Sequence, residues 1–283
     1  MTKKVLNRSL GKAKAIKQDE FYTQLSDIEK ELRFYTDHFK NKRVLCNCDD
    51  PKVSNFFHYF SYNFEKLKLK KLITTCYRNC DADLFSQHKQ ESGIFLEYVG
   101  DKNKNRVPDP EEICIQKLNG DGDFRSTECI NLLQGVDIVV TNPPFSLFRE
   151  YVQQLITFNK KFLIIGNHNA IIYKEIFPLI RDNKMWLGNT NPVAFVVPDH
   201  YEMRKVRSWR DEKGTNWRSL GNACWFTNLD FAKRHDELPL YEKYSKKKYP
   251  KYDNYEAIEV PRYKEIPEDY DGVMGVPVTF LEH

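Results

Sequence analysis

The stretch Val136-Asp137-Ile138-Val139-Val140-Thr141-Asn142-Pro143-Pro144-Phe145 sets the fold. It begins as a short apolar run of the kind buried on both faces of a parallel sheet. The run stops at Asn142, because proline has no N–H for a strand ladder and locks φ. A helix is expected over 147–156, a second buried strand over 161–166, and, after 167–170, a further helix over 171–181. Upstream, 26–40 reads as an amphipathic helix capped by Asp27, with Ile28, Leu32, Tyr35 and Phe39 on one face. Residues 43–48 and 69–77 read as strands. Between them, Asp50-Pro51 offers an N-cap and first-turn pair for a helix through Phe56, Phe57 and Phe60. Strands alternating with helices imply βαβ units, hence an α/β protein with a largely parallel sheet and ligands beyond the carboxyl ends of its strands.

Outside this core the pattern differs. Segments 94–99 and 113–115 flank a polar region rich in Lys, Asn, Asp and Pro and read as a hairpin. From Met185 onward, 193–197 and 223–227 look like antiparallel strands separated by a charged loop and followed by a Lys/Tyr/Pro-rich tail. The 283 residues suffice for one large domain or a domain plus a smaller module. No apolar run approaches the roughly 20 residues a membrane helix needs, and the basic start lacks the apolar core of a signal peptide. Seven cysteines without an export signal predict reduced thiols in a cytoplasmic protein. The pairs Cys46/Cys48 and Cys76/Cys80 lack the companions of a zinc site, so no metal is expected.

The charge balance, Lys+Arg 44 against Asp+Glu 40, is only weakly basic, but its distribution is uneven. Lys3, Lys4, Arg8, Lys12, Lys14 and Lys17 all precede Asp19, which makes 1–18 a basic arm suited to a polyanion, with Lys12 and Lys14 as phosphate contacts. Residues 201–218 hold Arg204, Lys205, Arg207, Arg210, Lys213 and Arg218 with Trp209 and Trp217, a mixture suited to phosphates and base edges. Residues 241–255 repeat this theme with Lys246, Lys247, Lys248 and Lys251 among tyrosines; a strap over the core explains those equally well.

Asn142-Pro143-Pro144-Phe145 answers a definite chemical problem. An exocyclic amino nitrogen such as that of adenine donates its lone pair into the ring and is a poor nucleophile. Two acceptors that take its hydrogens draw it toward tetrahedral geometry. The Asn142 carboxamide oxygen and the Pro143 carbonyl can do this, the paired prolines stiffen the turn, and Phe145 offers a face for the ring. A simple turn would also use Asn and Pro. All four residues together at the end of an apolar strand favour the chemical reading.

In these residues the chain resembles the EcoRI-type adenine-specific DNA methyltransferases, enzymes of restriction-modification systems and phages. The likeness rests on Asp19-Glu20-Phe21-Tyr22-Thr23, Cys46-Asn47-Cys48-Asp49-Asp50-Pro51, Asn119-Gly120-Asp121-Gly122-Asp123-Phe124-Arg125-Ser126 and Asn142-Pro143-Pro144-Phe145. It implies a Rossmann-like S-adenosylmethionine-dependent sheet flanked by helices, with a C-terminal target-recognition region. It also implies a site-specific adenine-N6 methyltransferase that acts as a monomer on double-stranded DNA and flips the target base out of the stack, since the amino group is inaccessible inside a duplex. A short palindrome such as GAATTC is the implied target. The resemblance assigns Phe21, Tyr22 and Thr23 to the methionine end of the cofactor, Asp49 to its ammonium group with Asn47 and Cys48 in the same seat, and Asp123 and Phe124 to its adenine. Asn142 stands between cofactor and target. One departure is plain. Methyltransferases normally carry Gly-x-Gly after the first strand, and here no glycine occurs between Lys12 and Gly93. The ribose partner is open, with Asp81 and Glu97 the available acids.

The implied organisation is a basic arm over 1–18, a cofactor-binding and catalytic core over 19–184, and the remaining strands with the DNA-reading region over 185–283. Rival readings are the same chemistry on RNA or on a protein glutamine, and a non-catalytic DNA-binding relic. The end Leu281-Glu282-His283 resembles the remnant of an expression tag, in which case the natural chain continues.

Overall fold

The computed structural model describes residues 21–48, 54–76, 93–105, 107–197, 201, 203 and 207–282. The expectations placed on Lys12, Lys14, Asp49, Asp50-Pro51, Asp81, Arg204 and Lys205 lie outside the described residues. The described chain forms two compact units that divide after Leu229.

In the first unit, β1 (Tyr22–Thr23) leads into α1 (Leu25–Leu32), which buries Ile28, Glu31 and Leu32. Asp27 lies in the first turn, where a negative charge suits the helix dipole, and pairs with Lys30 at 3.5 Å; it is not the cap. The helix is shorter than its periodicity suggests. After Leu32 the chain loosens into a 3-10 turn, Thr36–Phe39, which carries Phe39 edge-on against Phe60 with ring centroids 5.1 Å apart.

Next come β2 (Arg43–Cys46), α2 (Asn55–Tyr62), α3 (Phe64–Leu67) and β3 (Lys71–Cys76). α2 is capped by Ser54, whose hydroxyl accepts from Phe57 N–H, and it buries the expected Phe56, Phe57 and Phe60. The hairpin follows as β4 (Ile94–Tyr98) and β5 (Ile113–Lys117), in antiparallel register from Ile94↔Lys117 to Tyr98↔Ile113. α4 (Thr127–Gln134), capped by Ser126, leads to β6 (Ile138–Thr141), every residue of which is buried. α5 (Phe148–Thr157) buries Phe148, Tyr151, Val152 and Leu155, the spacing of one helical face. β7 (Lys161–Asn167) follows. The single helix expected over 171–181 is instead a 3-10 turn, His168–Ile172, and a short α6 (Phe177–Arg181) that opens at Pro178, since proline is accommodated in a helix's first turn but not in its interior.

β8 (Trp186–Leu187), β9 (Phe195–Val196), β10 (Ser208–Arg210), β11 (Asn216–Arg218) and β12 (Ala223–Thr227) complete the unit. The main sheet has eight strands in the order β5-β4-β3-β2-β6-β7-β12-β8. Only its centre is parallel: β3, β2, β6 and β7 run together, while β4, β5, β12 and β8 add antiparallel edges. The sheet is therefore mixed, because the hairpin and the return strand β12 need no crossover helix. β12 pairs with β7 over five residues, and this ties the segment after residue 184 into the first unit. Arg43 fixes the β2–β6 register by gripping both carboxylate oxygens of Asp137, at 3.1 and 3.0 Å. That pair holds Asp137 below the usual carboxylate range, chiefly through the hydrogen bond from Arg43.

The order reverses at β2: the chain builds β3 to β5 on one side of it and then returns to place β6 on the other. A crevice beyond the carboxyl ends of β2 and β6 is the switch point at which such sheets bind ligands. A second, four-stranded sheet runs β1-β9-β11-β10. It contains a hairpin where the sequence suggested only a charged loop: β10 and β11 face each other around a turn in which Asp211 Oδ1 accepts from the N–H groups of Lys213 and Thr215, with Gly214 at φ +81°. No helix among the described residues is long and apolar enough to cross a membrane.

The second unit, Asp230 onward, is held by Tyr249, Ile258, Val260 and Ile266, with β13 (Ile258–Glu259) parallel to β14 (Met274–Gly275). Three of its lysines are ion-paired within the unit: Lys243 with Glu268, Lys248 with Glu242 at 2.9 Å and Lys251 with Glu256 at 3.5 Å. Two of the four lysines singled out in 241–255, Lys248 and Lys251, are thus engaged by carboxylates.

Candidate active site

Asn142 follows the last residue of β6, at the mouth of the crevice, and is buried at 8% exposure. Its Nδ2 donates to the Phe21 carbonyl at 2.7 Å. Only the NH2 end of the amide can donate to a carbonyl, so this bond fixes which way the side chain faces. The other end, Oδ1, is buried and has no hydrogen-bond partner among the described residues. A buried acceptor left unpaired is uncommon and costly. In the turn that follows, the Pro144 carbonyl accepts from Leu147 N–H at 3.0 Å, and Phe145 is half-buried at the start of a 3-10 turn, Phe145–Leu147.

Phe21 is the hub of an aromatic group. Its ring centroid lies 5.6 Å from Phe145, 5.8 Å from Phe195 and 5.9 Å from Tyr201. Neither Phe195 nor Tyr201 carried a local sequence signal for the site. Thr23 is buried, and its Oγ1 is a second buried atom with no partner; its carbonyl accepts from Asn55 Nδ2 at 2.7 Å, which anchors β1 to the start of α2.

The segment after β2 is held from both sides. Thr74 of β3 donates its hydroxyl to the Cys46 carbonyl at 2.6 Å, and Thr141 of β6 donates to the Asn47 carbonyl. Asn47 is itself buried, and its Oδ1 accepts from the Tyr151 hydroxyl of α5. Burial pushes the Tyr151 pKa well above its ordinary value, so the group stays a donor. Cys48 then adopts φ +68°. Thr141 and Tyr151 were missed by sequence reasoning: one looks like a strand residue and the other like a core aromatic of a helix face.

Asp123 and Phe124 precede α4. Phe124 is buried and meets Tyr151 edge-on at 5.0 Å. Both oxygens of Asp123 are gripped by Arg125, at 2.9 and 2.6 Å, and Arg125 reaches on to Glu150 of α5 at 3.1 Å. The Arg125 hydrogen bond is the main reason that Asp123 sits below the usual carboxylate range. An ionised carboxylate has about four lone-pair sites, so it can still accept from a further donor. Glu97 is ion-paired with Lys71 at 2.9 Å on the β3–β4 pair and is not part of this group.

The sheet β1-β9-β11-β10 sorts the remaining residues by face. Register places Tyr22, Val196, Trp217 and Trp209 in one row and Thr23, Phe195, Arg218 and Ser208 in the next. Successive strand residues point to opposite faces, so the tryptophans share the Tyr22 face, while Arg218 and Arg210 share the face of Thr23 and Phe195. Trp209 and Trp217 lie parallel, 6.2 Å apart, and Trp217 donates to Asp211 at 2.9 Å. Arg207 and Arg210 are exposed. The structure thus brings Phe21, Thr23, Asn47, Cys48 and Asn142 to the crevice, and separates the mixed basic-aromatic stretch into an arginine face and an indole face. Tyr22 falls on the latter.

A family model described as adenine-specific methyltransferase EcoRI matches residues 9–283. The chain is 52% identical over 286 residues to the type II methyltransferase M.EcoRI of Escherichia coli, covering 99% of this chain and 87% of that protein. It is 38% identical over 278 residues to the type II methyltransferase M.MgeORF184P of Mycoplasma genitalium (96% and 81%) and 38% identical over 277 residues to the type II methyltransferase M.MpnI of Mycoplasma pneumoniae (96% and 81%). No solved structure gives a significant match.

Proposed function

The chain belongs to the adenine-specific EcoRI methyltransferase family, and from that premise we propose a DNA adenine-N6 methyltransferase that uses S-adenosylmethionine and acts as a cytoplasmic monomer in restriction-modification or phage DNA protection. The observation that carries the chemistry is the buried Oδ1 of Asn142, left without a partner among the described residues while Nδ2 is held by Phe21. In this reading Oδ1 and the Pro143 carbonyl accept the two hydrogens of the target amino group and raise the nucleophilicity of its nitrogen. Phe145 stacks on the adenine ring, and Pro143 and Pro144 hold the turn rigid.

The residues present suit the cofactor: the buried Thr23 Oγ1 has no partner among the described residues, and Cys48 makes a left-handed turn just after β2. Phe21 and Thr23, with the backbone of Tyr22, would hold its methionine end, Asp49 its ammonium group, Asn47 and Cys48 the seat beside it, and Asp123 and Phe124 its adenine. The cofactor supplies an activated methyl group on a sulfonium.

The arginine face of β10–β11, with Arg210 and Arg218, together with Arg207, Arg204, Lys205, Lys12 and Lys14, would carry the DNA, in a recognition region within 185–283. The indoles of Trp209 and Trp217 would support that surface from the other side. The test is transfer of labelled methyl from S-adenosylmethionine to duplex DNA, RNA and protein in parallel. Label in adenine of duplex DNA supports the reading. Label confined to RNA or protein, or no transfer with either, overturns it.

A further inference from the structure

A residue other than glycine, asparagine or aspartate in the left-handed region is uncommon, and it persists only where the surroundings over-determine it. Cys48, at φ +68°, is such a residue, and it falls where the sequence lacks the glycines that methyltransferases normally place after the first strand. The groups that determine it are in view. The carbonyls of Cys46 and Asn47 are tied to the flanking strands by Thr74 and Thr141, and the Asn47 side chain is tied to α5 by Tyr151.

We infer that Tyr151 is a positioning residue for the cofactor seat: with Thr141 it immobilises Asn47 so that Cys48 can make, without glycine, the left-handed turn on which the seat depends. This rests on the proposed placement of the cofactor at the carboxyl ends of β2 and β6. Two further features fit. Tyr151 meets Phe124 edge-on, so one side chain braces both the Asn47–Cys48 segment and the segment proposed for the cofactor adenine. Thr141 immediately precedes Asn142, so the same clamp fixes the strand end from which the catalytic amide projects. The arrangement replaces an intrinsic backbone freedom with two hydroxyl contacts from neighbouring elements.

That substitution predicts a rescue that a merely structural tyrosine would not show. Tyr151→Phe keeps the ring and its packing and removes only the hydroxyl. Calorimetric titration of the full chain with S-adenosylhomocysteine should show affinity falling about tenfold, the scale of one buried hydrogen bond lost with its acceptor left unpaired. The cofactor KM should rise in parallel while kcat at saturating cofactor stays within about twofold. Cys48→Gly alone sets the reference affinity against which the double variant is read. In the Tyr151→Phe background Cys48→Gly should restore most of the lost affinity, because glycine takes φ > 0 without help. Thr141→Val should behave like Tyr151→Phe and be rescued in the same way, which keeps the test decisive if one variant fails to give a thermal unfolding transition like the parent's. Unchanged affinity in both clamp variants, or a double variant no tighter than Tyr151→Phe, overturns the proposal. Asp123→Ala serves as the control on the seat: if it binds like the parent, the placement of the cofactor falls as well, whereas weakened binding there with no effect at Tyr151 removes the positioning role alone.

Discussion

Asn142→Ala separates activity from stability in a way that few substitutions at a buried polar residue do. In the folded protein the side chain makes one bond, Nδ2 to the Phe21 carbonyl at 2.7 Å, and buries one acceptor, Oδ1, without a partner. The bond contributes about 1 kcal/mol net, and the unpaired buried acceptor costs about 1–3 kcal/mol. The substitution relieves that acceptor but leaves the Phe21 carbonyl without its donor, a penalty of the same size, so the terms nearly cancel and stability should change by less than about 1 kcal/mol, or about 2–4 °C in melting temperature for a chain of this size. Turnover should respond strongly. Loss of a preorganised acceptor aimed at developing charge costs about 10²–10³ in rate, or about 2.7–4 kcal/mol of transition-state stabilisation. Binding of S-adenosylhomocysteine should hardly change, since Oδ1 acts on the reacting nitrogen. Labelled methyl transfer at saturating DNA and cofactor, isothermal calorimetry and differential scanning calorimetry read the three quantities. Turnover within tenfold of the parent would refute the assignment, and so would a fall of more than about 5 °C in melting temperature, which would make the amide a structural strut.

Other perturbations follow from the same geometry. A carboxylate with a depressed pKa lends stability above its unfolded value of about 3.9 and loses it as pH falls through the lower folded value; Arg125→Ala should therefore remove the acid-side loss attributable to Asp123, leaving the variant less stable than the parent above about pH 5 and converging with it at lower pH, and a constant difference in melting temperature between about pH 5 and 2.5 would contradict the pairing. Gly188→Ala would drive a methyl to 2.4 Å from the buried Glu31 carboxylate and 2.5 Å from Trp225 Cβ, so a loss of about 1–3 kcal/mol is expected by denaturant unfolding, and a neutral result would deny the close approach. Replacing Arg207 and Arg210 by alanine should flatten the slope of log affinity for DNA against log salt by about two, with little change in cofactor affinity; an unchanged slope would place the DNA elsewhere.

Much of this was readable in local pattern. The apolar strand before Asn142, the strand over 161–167, the β4–β5 hairpin and the helix after the double proline all announce themselves by period and composition. The α2 cap was misplaced because Asp50-Pro51 satisfies the same rule as Ser54, and only the fold chooses between two adequate caps. The β10–β11 hairpin was hidden by its own charge: Ser-Trp-Arg and Asn-Trp-Arg alternate properly, but both faces are polar enough to read as loop. The aromatic group at Phe21 could not be foreseen, since Phe145, Phe195 and Tyr201 come from parts of the chain far apart in sequence and each is an ordinary core residue by itself. The turn at Cys48 ran against expectation, because backbone conformation there is dictated by Thr141 and Tyr151 and not by the residue that adopts it.

The sharing of one small sheet by β1, β9 and the β10–β11 hairpin bears on how such an enzyme could acquire a new target. Phe21, whose carbonyl accepts from the Asn142 amide, immediately precedes the first strand of the very ladder that ends in the hairpin. If the hairpin reads DNA as proposed, a transplanted hairpin alone would inherit foreign edge partners and tug that amide out of place. Retargeting by exchange between relatives would then call for residues 21–23, 195–196 and 208–218 to travel as one inheritance, although nearly two hundred positions of sequence separate its ends.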